Sequence, residues 1–110
     1  MEVTTNRLGN VTIVAGSGRL DSNSSPAFED VLLKVINEAA AVVLDMTGFH
    51  YVSSAGLRVL LMAAKKSKSA GNKLALCGLT PEVRMVFEIS GFLALFLIYP
   101  TPDEAVAAVG

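Results

Sequence analysis

Asp45-Met46-Thr47-Gly48-Phe49-His50-Tyr51-Val52-Ser53-Ser54-Ala55-Gly56-Leu57-Arg58 decides how this chain is read. Just upstream, Ala41-Val42-Val43-Leu44 is a short apolar run, the pattern of a strand buried on both faces of a parallel sheet. The run ends in an acid and a turn. Two serines then open a stretch in which Leu57, Leu60, Leu61 and Ala64 share one stripe at helical spacing. The serines stand where a helix presents its first unpaired N–H groups. A serine there commonly caps the helix, worth about 1 kcal/mol. The same position suits a phosphate, whose charge would face free N–H groups and the positive end of the helix dipole. The fold would survive that modification. A partner's acidic or apolar surface docked over the serine would not tolerate it.

Outward from this unit, Glu2 to Arg7 and Val11 to Ala15 are predicted to be strands joined by a tight turn at Gly9-Asn10. Gly16 to Asp21 reads as a loop running into Ser22–Ser25. Ser25 before Pro26 marks a helix start, since proline is favoured in the first turn. Phe28, Leu32, Val35, Ile36 and Ala39 then recur at helical spacing. The helix from Ser54 should end at its lysines and Gly71, with Gly71 as the C-cap. Lys73 to Cys77 is the next strand, and Thr80-Pro81-Glu82 opens a third helix with Val83, Val86 and Phe87 inward and Gly91 closing it. Leu95 to Tyr99 is the last strand, and Asp103 to Val109 a short terminal helix. The order ββαβαβαβα predicts one α/β domain over residues 1–110, a mixed, mostly parallel sheet packed with helices. Periodicity leaves open whether the helices cover one face or both.

Composition narrows the functional classes. A chain of 110 residues suits one domain. Nine basic and ten acidic residues give a net charge of −1, and without a basic patch nucleic-acid binding is not expected. Lys65, Lys66 and Lys68 complement the negative end of a helix dipole. Cys77 is the sole cysteine, so no intramolecular disulfide can form, and its apolar strand suggests a buried, inert thiol. The start, Met1-Glu2-Val3-Thr4, has neither a basic region nor an apolar signal core. Phe92 to Tyr99, the longest apolar segment, falls far short of the ~20 residues of a membrane helix. A cytoplasmic protein without membrane insertion is expected. Hydrophobic content is high, at 52% with mean hydropathy +0.53. A sheet covered by helices would absorb part of it, and an exposed apolar patch for a partner the rest.

Enzyme signatures fail one by one. Val52-Ser53-Ser54-Ala55-Gly56 half-matches the nucleophile elbow Gly-x-Ser-x-Gly, but Val52 replaces the first glycine. A triad needs a histidine arriving from elsewhere, and the only one, His50, lies four residues before Ser54 and reads as a solvated turn residue. A phosphoacceptor receiver would need acids after the first parallel strand, where Gly16-Ser17-Gly18 stands instead. Asp21 occupies the place of the third glycine in a dinucleotide fingerprint, no Gly-Lys-Ser/Thr exists, and no Cys/His set could hold zinc. No catalytic residue, metal or resident cofactor is expected.

The chain resembles the STAS domain family, and in particular anti-sigma factor antagonists. Asp45-Met46-Thr47 followed by Ser53-Ser54-Ala55-Gly56-Leu57 resembles the family's signature of strand, turn and helix start. Gly18-Arg19-Leu20-Asp21 is similar to its Gly-Arg-Leu-Asp loop, and Pro81-Glu82-Val83-Arg84 with Gly91-Phe92 to its third-helix pattern. The likeness runs in order along almost the whole chain. It implies phosphorylation two positions before the glycine, at Ser54, with Ser53 the alternative because many regulated members have aspartate there. It implies a partner that is both anti-sigma factor and serine kinase, supplying ATP and Mg²⁺, and a phosphatase that resets the switch. The implied contact surface comprises Arg19, Asp21, Ser22, Asn23, Ser24, Ser53, Ser54, Gly56, Leu57 and Arg58. Asp21 reads equally as a turn or cap residue, and Arg58 as a solvated helix residue. STAS domains also serve in lipid-transport and stress-signalling complexes, so a constitutive interaction module is the second reading. The oligomeric state is left open.

Overall fold

A computed structural model describes residues 1–110. Strands β1 (Glu2–Leu8), β2 (Val11–Leu20), β3 (Ala41–Val52), β4 (Lys73–Cys77) and β5 (Leu97–Tyr99) form one sheet in the order β1-β2-β3-β4-β5. β1 is antiparallel to β2, and every other neighbour pair is parallel. Helices α1 (Ser25–Glu38), α2 (Ser54–Ala70) and α3 (Pro81–Ser90) are the crossovers, and α4 (Pro102–Val109) ends the chain. The expected order and the single α/β domain are both present.

The core shows how the helices are layered. Phe28, Leu32 and Ile36 of α1, Leu57, Leu60 and Ala63 of α2, and Val83 and Phe87 of α3 join one cluster with Val42, Leu44 and Met46 of β3. Ala105 and Val109 of α4 join another with Ala41 and Val43. Alternate residues of a strand point to opposite faces, so α1–α3 cover one face and α4 alone lies on the other. The buried stripe of α2 differs by one position from expectation. Ala63 is buried where Ala64 and Leu61 are only partly covered. Several large apolar side chains stay exposed, Ile89 at 81% and Met85 at 59%, which accounts for part of the high hydropathy.

Two strands run past their predicted ends. Gly16 to Leu20 belongs to β2 rather than to a loop, and β3 continues from Leu44 through the expected turn to Val52. Gly16 is needed for packing, because a Cβ there would lie 2.2 Å from the Phe49 ring. That ring fills the gap and meets Phe28 edge-on, centroids 5.5 Å apart. At the irregularity the Asp45 carboxylate accepts hydrogen bonds from the Thr47 N–H, at 3.1 Å, and the Thr47 hydroxyl. Register shifts after Ala15 and Gly18 let twelve residues of β3 follow ten of β2. His50 therefore sits exposed in a strand, not in a turn. At the other end of the chain β5 shrinks to three residues, because Leu93–Leu95 wind into a 3₁₀ turn.

Candidate functional site

The extended ends of β2 and β3 and the first turn of α2 build one pole. The Ser53 N–H donates to the Leu20 carbonyl at 2.9 Å, tying the start of α2 to the end of β2. Ser53 is extended and its Oγ accepts the Gly56 N–H at 3.3 Å, so this serine is the N-cap. Ser54 is the first helical residue; it is exposed, and its hydroxyl is not engaged in the cap. The neighbouring serines thus have different duties. One holds the helix, and the other is free at its positive end.

Gly56 explains why the motif carries a glycine. A Cβ there would lie 2.7 Å from the Leu20 carbonyl oxygen and 2.9 Å from Leu20 Cγ. Only hydrogen lets the first turn of α2 rest on the end of β2. Gly56 is buried, and Leu57, 7% exposed, enters the main core. These two residues, expected in the contact surface, face inward and set the helix on the sheet instead.

The loop before α1 is locked by its own polar groups. The Asp21 carboxylate accepts the N–H groups of Asn23 at 3.0 Å and Ser24 at 3.2 Å. The Ser24 hydroxyl donates to the Arg19 carbonyl at 2.7 Å and accepts the Asp21 N–H at 3.0 Å. The Asp21 carbonyl receives the Ser25 N–H at 2.8 Å. Its turn duty is therefore present in the fold, whereas the N-cap position of α1 is held by Ser24. The Ser24 N–H, above all, holds the Asp21 carboxyl below the usual carboxylate range; partial desolvation opposes this, and the Asn23 N–H, the Ser24 hydroxyl and Arg19 assist. Ser22 and Asn23 are exposed at the tip.

Arg19 lies on the side of the sheet away from α2, since its neighbour Leu20 enters the core beneath the helices. Its guanidinium is 4.2 Å from the centroid of the Tyr51 ring, and its Nε is 3.6 Å from Asp21 Oδ2. Tyr51 is a surface residue that the sequence reading missed. Its pairing with Arg19 depends on the shifted β2–β3 register, which places the two opposite each other. Arg58 is exposed one turn beyond Ser54, on the same side of α2. It continues into a shallow basic strip with Leu61, Met62, Lys65 and Lys66. The exposed members of the pole are thus Arg19, Ser22, Asn23, Ser54 and Arg58, with Tyr51 added.

Elsewhere Cys77 is fully buried, and its thiol is pushed up to about 11 by desolvation first and the Asp45 carboxylate second, against a lowering by the Met46 N–H. No three His, Cys, Asp or Glu side chains gather in a way that could hold a metal ion. No helix is long and apolar enough to cross a membrane.

Comparison with known proteins agrees with this architecture. The family model for the STAS domain matches residues 2–105. BtrV of Bordetella bronchiseptica, whose name proposes an anti-sigma factor antagonist, is 38% identical over 109 residues, covering 98% of this chain and 94% of that protein. The anti-sigma F factor antagonist of Paenibacillus polymyxa is 31% identical over 101 residues, covering 90% and 84%. The crystal structure of an anti-sigma factor antagonist from Mycobacterium paratuberculosis superposes with a TM-score of 0.89 at 26% identity, covering 98% of this chain and 92% of that one.

Proposed function

This chain belongs to the STAS domain family, and from that premise we propose that it is an anti-sigma factor antagonist switched by phosphate on Ser54. The observation that carries the reading is the division of labour between the serines. Ser53 is spent on the helix cap, whereas Ser54 is exposed with an uncommitted hydroxyl. The names of BtrV and of the Paenibacillus protein support antagonism as the function.

In this reading the unmodified protein binds an anti-sigma factor through the pole, and the sigma factor is released. Arg19, Tyr51, Ser22, Asn23, Ser54 and Arg58 supply the contact. The anti-sigma factor is also a serine kinase and brings ATP and Mg²⁺. This chain is a substrate, not an enzyme, and acts in the cytoplasm. The Ser54 oxygen takes the γ-phosphoryl group, its proton leaves to a base of the kinase or to water, and ADP departs. A phosphatase returns the hydroxyl by transferring the phosphoryl group to water.

The local chemistry explains how the modification leaves the fold intact. A phosphoserine carries about −1.5 to −2 charges and would meet the free N–H groups of the first turn of α2 and the positive end of its dipole. Neither Asp nor Glu occupies that turn to oppose it. A partner surface seated over Ser54 would have to cover that charge. The switch needs little energy, since each 1.4 kcal/mol is about tenfold in affinity.

Mass mapping of the protein from its own cells, with calorimetry against the anti-sigma factor, tests this. Phosphate on Ser54 is expected, with Ser54→Asp binding at least tenfold more weakly than Ser54→Ala. Equal affinity of the two variants would end the charge-switch account. Phosphate on Ser53 would move the site by one residue, and none under growth or stress would favour the constitutive module.

A further inference from the structure

We propose that the open edge of β1 and the groove between it and α1 form a second docking site, which takes an extended, acidic segment of a partner polypeptide as a sixth strand. The two edges of the sheet are managed differently. β5 exposes only three residues, whereas β1 offers seven and pairs on one side only, with β2. A long edge strand leaves a row of backbone N–H and C=O groups unpaired, and proteins usually blunt it with proline, lysine, a bulge or a covering element. β1 reads Glu-Val-Thr-Thr-Asn-Arg-Leu. It contains no proline or lysine, its pairing with β2 is unbroken, and all but Val3 are exposed.

Beside this edge lies a hollow of about 640 Å³, within the size range of ligand sites. Val3, Thr5 and Arg7, alternate residues of β1, form one wall, and Val31, Lys34 and Val35 of α1 form the other. An edge strand flanked by a helix, with a groove between, is the arrangement that strand addition requires. Backbone hydrogen bonds would supply affinity, and alternate side chains entering the groove would supply selectivity.

Charge selects the occupant. Arg7 and Lys34 line the groove and neither is ion-paired, while Glu38 is the one acid there. Arg7 donates only through Nε to the Gly9 carbonyl, at 3.1 Å, which leaves the rest of its fork free. The apolar part is formed by Val3, Val31 and Val35. The fitting segment therefore places apolar side chains against the valines and an acidic one against Arg7 and Lys34. The basic end adjoins Thr12, which pairs with Val42 near the start of β3, whereas Ser54 follows the end of β3. The basic end of the groove and Ser54 lie toward opposite ends of the sheet, and no residue lining the groove belongs to the Ser54 pole, so this inference stands whether or not Ser54 is the switch.

Heptapeptides carrying every combination of valine, threonine, glutamate and lysine at three alternate positions, with threonine between, test the proposal. Each is titrated into the ¹⁵N-labelled full chain. The expected result is that a peptide with valine and glutamate shifts the amides of Glu2–Leu8 and slows their hydrogen exchange. Its counterpart with lysine for glutamate should bind at least tenfold more weakly, and an Arg7→Glu, Lys34→Glu variant should reverse that preference. Three results would overturn the proposal. No peptide perturbs β1; the β1 amides become protected by self-association of the protein alone; or sodium decanoate shifts the groove residues while no peptide does, which would assign the hollow to a small amphiphile.

Discussion

The two halves of β3 obey different rules. From Ala41 to Leu44 every residue is buried, and the strand is flanked by β2 and β4 in regular register. From Asp45 to Val52 the register slips twice against β2, and β4 pairs no further than Asp45. There the Phe49 carbonyl accepts the Thr80 hydroxyl, at 3.3 Å, from the start of α3. The first half is held by side chains present at each position. The second is held by side chains missing at selected positions, Gly16 under the Phe49 ring and Gly56 against Leu20. A buried strand of the first kind tolerates hydrophobic exchange, whereas the second kind fails on adding a single methyl.

The largest expected effect follows from that contrast. Gly→Ala in a helix ordinarily gains about 1 kcal/mol, but Gly56→Ala should lose about 1–3 kcal/mol by overpacking. Gly16→Ala should lose a similar amount or more, since its Cβ would meet a ring that has no free space to enter. Denaturant unfolding with unchanged m-value measures both, and a stabilised Gly56→Ala would break the comparison.

Next is a titration where the two halves meet, at Cys77 of β4, which pairs with Asp45. The Cys77 thiol ionises at an ordinary value of 9.0 when the chain is unfolded and at about 11 when folded. A raised native value means that the contribution is complete below pH 9 and is lost as pH climbs through about 11. Stability should fall over that window, by up to about tenfold in the folding constant per pH unit. Cys77→Ala should remove that part of the slope. An identical alkaline profile in the variant would show that the thiol ionises freely in the folded protein.

The smallest effect separates the serines at the pole. Ser53→Ala should cost about 1 kcal/mol through loss of the cap, and Ser54→Ala should stay within about 0.5 kcal/mol. Thermal unfolding of the pair sharpens the assignment of structural and regulatory duty. Equal losses would mean that Ser54 also secures the helix.

Much of this architecture was legible in the residues. Short apolar runs marked the regular parts of β3 and β4, and helical spacing with Pro26, Pro81, Gly71 and Gly91 marked the helices and their ends. The reading failed where glycine serves a strand instead of a turn. Gly16 and Gly48 leave room for a close neighbour and Gly18 takes a positive φ at a register shift, so both segments have turn composition yet lie in strands. The site was legible in part: Ser54 and Arg58 are exposed as expected, but Gly56 and Leu57 are buried. Tyr51 carried no signal, because its partner Arg19 lies 32 positions away along the chain and is brought opposite it only by the bulged register.

The sequence by itself determined the element order, the strand–turn–helix unit and the helix-start serines, because hydrophobic period, capping and turn chemistry act over a few residues. Tertiary structure alone decided that α1–α3 share one face, that Gly16, Gly48 and Gly56 serve close packing, and which serine keeps a free hydroxyl. Those outcomes depend on distances between segments far apart in the chain, and local periodicity carries no record of them.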